Sequence, residues 1–124
     1  MMKKTSSSRS DVPILDREDA LKRLQNDREF LNVLYGAFIE DLPNKFNALD
    51  EAIAGRELKS AQQAAHSLKG AAATVGAASL REAALEMEMA ARDGDADKIK
   101  TLCPGLRAAA EQTLREMTKV LKGA

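Results

Sequence analysis

The sequence predicts an all-α fold, an antiparallel up-down-up-down four-helix bundle with a short N-terminal capping helix. Three observations predict it. Apolar residues recur every three or four positions along four long segments, short Gly/Asp breaks separate those segments, and nothing in the chain reads as a strand. With 44% hydrophobic and 3% aromatic residues and no tryptophan, the core must come mainly from leucine, alanine and methionine on helices. At 124 residues there is room for one domain, expected over 12–122, behind a disordered lead or linker at 1–11.

Asp16 precedes R-E-D-A-L-K-R-L and can accept hydrogen bonds from first-turn amides, so a short helix starts there and ends near Gln25, with Asn26-Asp27 as the break. From Arg28 the positions Leu31, Leu34, Phe38, Leu42, Phe46, Leu49 and Ile53 mark a long amphipathic helix that closes before Gly55, with a kink expected at Pro43. A third helix runs from about Glu57 to Val75 on Leu58, Ala61, Ala65, Leu68, Ala72 and Val75, and Gly76 ends it as a left-handed cap. The fourth, about Ala78 to Arg92, turns Leu80, Ala83, Ala84, Met87 and Ala91 inward and stops at Gly94. Asp95 caps the fifth, whose stripe is Ile99, Leu102, Leu106, Ala110, Leu114, Met117 and Leu121, with a bend at Pro104-Gly105.

Lys+Arg and Asp+Glu balance at 19 each, which leaves no global field to recruit nucleic acid or an anionic membrane. The single cysteine, Cys103, excludes an internal disulfide and is expected in the core; with one histidine, no Cys/His zinc cluster is available. The basic opening M-M-K-K runs into serines rather than an apolar stretch, and no run approaches the ~20 apolar residues of a membrane span. A soluble, cytoplasmic monomer is expected.

The informative stretch is A-A-H-S-L-K-G-A-A-A-T-V-G, Ala64 to Gly76. It places the only histidine, His66, one turn ahead of Gly70, a residue that costs ~1 kcal/mol relative to alanine inside a helix. Since each residue advances ~100° around the axis, His66 points away from the core position Ala65 and toward solvent. Lys69 and Gly70 stand beside it one turn on, Ala73 one turn further, and Gln62 and Gln63 one turn before. The Lys69 ammonium is expected to disfavour imidazolium, leaving a neutral, nucleophilic ring, and to act as a point-charge donor to any phosphoryl group the ring acquires. Gly70 and Ala73 remove bulk, so that another protein's concave active site can descend over the imidazole. On this reading Gly70 costs helix stability and gives clearance.

H-S-L-K-G-A-A at His66 to Ala72, Gly76, and the following L-R-E-A-A-L-E-M-E-M-A-A-R-D-G-D resemble the histidine-containing phosphotransfer (HPt) domain of bacterial multistep phosphorelays. The resemblance extends from about residue 12 to 121 through D-R-E-D-A-L-K-R-L, F-I-E-D-L-P and L-C-P-G-L-R-A-A-A-E. It implies a four-helix bundle whose exposed histidine accepts a phosphoryl group from the aspartate of one receiver domain and donates it to another. The implied partners are receiver domains of response regulators or of a hybrid sensor histidine kinase. Magnesium and the acidic pocket belong to the receiver, so no metal or cofactor is expected in this chain. The phospho-acceptor role carries onto His66, phosphoryl stabilisation onto Lys69 and clearance onto Gly70. Some relatives carry a glutamine on the next helix near the imidazole; the matching position here is Glu88, a carboxylate that can orient the neutral ring but repels phosphohistidine. Leu85 and Met89 flank Glu88 off the core stripe and are expected, with Glu88, Ala73, Gln62 and Gln63, to contribute to partner docking.

Two other readings share parts of this pattern. A chemotaxis-kinase phosphorylation domain has a similar His-x-x-Lys-Gly and takes phosphate from an ATP-using kinase; the compact length and the fifth helix favour the phosphorelay form. A bundle that binds partners without carrying phosphate is disfavoured by the intact His-x-x-Lys-Gly. Autonomous kinase activity is not expected, because no G-x-x-x-x-G-K-[ST] or other glycine-rich nucleotide loop is present. A haem bundle using His66 and a methionine is disfavoured, because no C-x-x-C-H is present.

Overall fold

The computed structural model describes residues 12–123. Five helices follow in order: α1 (Arg17–Arg23), α2 (Arg28–Ala54), α3 (Leu58–Val75), α4 (Ala78–Arg92) and α5 (Ala96–Gly123), with no strand among the described residues. The predicted lead at 1–11 lies outside them.

Aspartates start three of the helices by accepting an orphan first-turn amide. Asp16 accepts from the Asp19 N–H at 3.1 Å, Asp27 from Phe30 at 3.0 Å and Asp95 from Lys98 at 3.1 Å. The first helix ends at Arg23 rather than near Gln25, because Gln25 (φ 57°) and Asn26 (φ 65°) turn left-handed before Asp27 begins α2. Helix α2 runs unbroken through Pro43 for 27 residues, and α5 likewise contains Pro104. The bounds of α4 coincide with the predicted ones, while α5 reaches Gly123, one residue past the expected domain end.

Helix α3 packs on α2 and most extensively on α4, and α4 packs on α5. Between them lie the fully buried side chains of Leu31, Leu49, Leu68, Leu80, Leu106 and Met117. Three apolar expectations need correction. Leu58 and Leu121 are 38% and 37% exposed, since each sits at a helix end where the facing helix no longer covers it. Cys103 is half-buried rather than enclosed, and that partial burial pushes its thiol pKa up. The seam between α2 and α5 is closed near this cysteine by Arg107, which pairs with Asp50 and lies 5.1 Å over the Phe46 ring.

The α3–α4 turn anchors the N-terminal segment. The Asp16 N–H donates to the Gly76 carbonyl at 2.7 Å, and the Ser79 N–H donates to Pro13 at 3.0 Å. Arg23 of α1 then reaches across to the Ala73 carbonyl at 3.1 Å. This strap holds α1 beside the C-terminal half of α3. No helix among the described residues is long and apolar enough to cross a membrane.

Candidate functional site

His66 lies near the middle of α3, where buried Ala65 and Leu68 fix the helix against its neighbours and leave the next position around the axis facing outward. Its side chain is 66% exposed. Gly70 is also exposed, and nothing stands within 4 Å of where a Cβ would project. No packing contact among the described residues therefore explains the glycine. Ala73 and Gln62 are half-buried and Gln63 is exposed, all along the same helix.

Glu88 comes from α4, positioned by buried Met87 before it and Ala84 one turn earlier. Its side chain is only 17% exposed, and its carboxylate divides its two oxygens between the two residues singled out on α3. Oε2 is 2.9 Å from His66 Nδ1, and Oε1 is 2.8 Å from Lys69 Nζ. The Lys69 ammonium is the main influence holding the Glu88 carboxyl below its ordinary 4.5; partial burial opposes it, and the bond to His66 assists. An ionised carboxylate only accepts hydrogen bonds, so Nδ1 is the N–H donor. In the neutral ring the lone pair then resides on Nε2.

This corrects one expectation about charge. Lys69 does not act on the imidazole as an unpaired cation, because Glu88 stands between them and neutralises it. Nor is Glu88 an ordinary solvated charge. The sequence marked its position as a departure from a glutamine, but the simultaneous grip on Lys69 required the packing of α3 against α4, which brings together residues 22 apart in sequence.

On α4, Leu85 is half-buried and Met89 is 43% exposed, one on either side of Glu88. Sequence reading missed a second apolar surface on α2. Phe30 and Val33 are 47% and 64% exposed, and below them Leu34, Ala37 and Phe38 line a shallow groove closed by Ala71 and Thr74 of α3. The signal was available: Phe30, Val33 and Ala37 repeat at steps of three and four, offset from the core stripe. Lower on the same seam, Lys45 donates to the Ser67 hydroxyl at 2.9 Å and pairs with Asp41 at 3.3 Å.

No group of three or more His, Cys, Asp or Glu residues that could hold a metal ion occurs among the described residues. The Hpt domain family model matches residues 33–119, a span that contains His66, Lys69, Gly70 and Glu88. The chain belongs to the Hpt domain family, whose members carry phosphoryl groups on histidine in phosphorelays. Comparisons with curated proteins and with solved structures gave no match.

Proposed function

We propose that this chain is a phosphorelay carrier in which His66 Nε2 takes a phosphoryl group from the aspartate of one receiver domain and gives it to another. The observation that carries this reading is the exposed imidazole bonded through Nδ1 to Glu88, which leaves the opposite nitrogen as the nucleophile. The lone pair of Nε2 forms the N–P bond as the P–O bond to the receiver's aspartate breaks, and the electron pair departs on the carboxylate. Gly70 and Ala73 give the receiver's active site room to close over the ring. Lys69 is the ammonium placed to meet the transferred group.

The scaffold in this proposal is α2 to α5 as an antiparallel up-down-up-down bundle over 12–122, with α1 across one end. Supporting it, Leu58 at the start of α3 lies beside Gly94, just past the end of α4, and Asp16 docks on the turn between them. Met89 and Leu85 on α4, and Val33 and Ala37 on α2, provide apolar surfaces for the receiver on either side of α3. Gln62 and Gln63 extend that surface by one turn.

The test is incubation of the full chain with a phosphorylated receiver. An acid-labile, base-stable label is expected on His66 and absent from His66→Gln. A label that persists in His66→Gln overturns the assignment, and ATP alone is expected to label neither protein.

A further inference from the structure

Glu88 binds the two groups that the transferred phosphoryl needs. Its carboxylate pairs with Lys69 at 2.8 Å through one oxygen and accepts from His66 Nδ1 at 2.9 Å through the other. Resting on the reading of His66 as phospho-acceptor, we propose that Glu88 competes with the phosphoryl group for Lys69 and thereby biases the site toward donation rather than storage.

Charge counting supports the direction. Before transfer, Lys69 and Glu88 cancel and the reacting ring is neutral. When Nε2 forms the N–P bond and Nδ1 keeps its proton against Glu88, the ring gains one positive charge. The phosphoryl group brings about two negative ones. The site therefore becomes more negative beside a carboxylate that is already negative, on a side chain only 17% exposed, where water screens it less than at a fully exposed position. Lys69 then has two anionic partners and one ammonium. If it stays on Glu88, the phosphoryl group lacks its donor; if it turns away, Glu88 loses the 2.8 Å ion pair and its carboxylate is left beside the incoming anion. Either arrangement raises the free energy of the phosphorylated state relative to a site whose lysine is unpaired. Onward transfer is favoured for a second reason. With the Nδ1 proton retained, the ring leaves as neutral imidazole when the N–P electron pair returns to Nε2.

A small donor isolates this effect from docking. Phosphoramidate can phosphorylate an accessible imidazole: the N–P bond to the ring forms, the donor's own N–P bond breaks, and its electron pair leaves on ammonia. The ratio of phosphohistidine to free histidine, read by phosphorus NMR at fixed phosphoramidate and ammonia, gives the phosphoryl affinity of His66. Glu88→Gln is expected to raise the equilibrium ratio by about 1.5-fold to fivefold, the range for releasing one partly exposed ion pair. Glu88→Ala should raise it too while slowing its approach, since the ring loses its orienting acceptor. Lys69→Ala should lower the ratio strongly in the Glu88→Gln background and weakly when Glu88 is present, a non-additivity that a purely structural role for Glu88 does not produce. Equal ratios in the parent and both Glu88 variants, or a lysine effect independent of Glu88, overturn the proposal. If the parent chain acquires no phosphohistidine, the phospho-acceptor reading itself falls.

Discussion

The carboxylate of Glu88 on α4 accepts from Nδ1 of His66 on α3 across a 2.9 Å contact, so the tautomer of an exposed imidazole is set by the neighbouring helix. Nitrogen-15 NMR at pH values where the ring is neutral should show Nδ1 protonated and Nε2 bare. In Glu88→Ala the two nitrogens should move toward the averaged shifts of a freely exchanging imidazole. A parent spectrum already averaged would separate the ring from the carboxylate and remove Nε2 as the assigned nucleophile.

The pair between Lys69 and Glu88 also ties stability to pH. Because the Glu88 carboxyl titrates lower in the folded chain than its ordinary 4.5, the unfolded chain binds its proton first on acidification. The stabilisation is therefore fully present above the unfolded value and is lost as pH falls through the lowered folded one. Comparing Glu88→Gln with its parent in a His66→Gln background removes the imidazole from the balance. Urea melts should find the glutamine variant about 1 kcal/mol less stable at pH 7, with the gap closing below about pH 4. A gap that widens as the pH falls would contradict the assigned direction.

Two glycines only six positions apart should respond to alanine in opposite ways. At Gly70 a Cβ meets nothing within 4 Å in a helical interior, so Gly70→Ala should stabilise the fold by about 0.5–1 kcal/mol. The same methyl stands beside His66, and transfer from a receiver should slow. At Gly76, φ is 76° and a Cβ would lie 2.6 Å from the Asp16 carbonyl oxygen and 3.3 Å from Ala20 Cβ. Gly76→Ala should destabilise by more than about 1 kcal/mol and loosen the N-terminal strap, read as a lower melting temperature and faster amide exchange at Asp16. If Gly70→Ala leaves transfer from the receiver unchanged, the clearance role is wrong.

The contrast between these glycines shows what a sequence makes visible. Gly76 follows the last apolar position of a periodic segment, and local rules alone identify it as a cap. Gly70 interrupts such a segment, and its meaning came from the chemistry of His66 and Lys69 beside it. Helix positions were legible because the three-four apolar step persists over long runs. Tyr35, the largest fully buried side chain, was missed because its polar tip disguises a core residue. Its phenol titrates higher than usual because burial outweighs the nearby Arg17 charge. Glu88 was half legible: its place near the ring followed from the resemblance, whereas its pairing with Lys69 depends on how α3 and α4 register, which no local pattern encodes.

Docking and chemistry can be separated by changing the donor. In the proposed complex the receiver covers surface on both flanks of α3, within the about 800 Å² per partner of a standard-size protein contact. Met89 on α4 and Val33 on α2 are 43% and 64% exposed, so Met89→Asp and Val33→Asp should each leave the unfolding free energy from urea melts within about 0.5 kcal/mol of the parent. Each should slow transfer from a phosphorylated receiver by about tenfold, because a carboxylate placed in an apolar contact is desolvated without a partner. With phosphoramidate, which docks on neither surface, both variants should react at the parent rate. A slow reaction with the small donor would mean that the substitution had disturbed the His66, Lys69 and Glu88 cluster. An unchanged rate with the receiver for one variant would take its helix out of the interface and leave the other flank as the docking face.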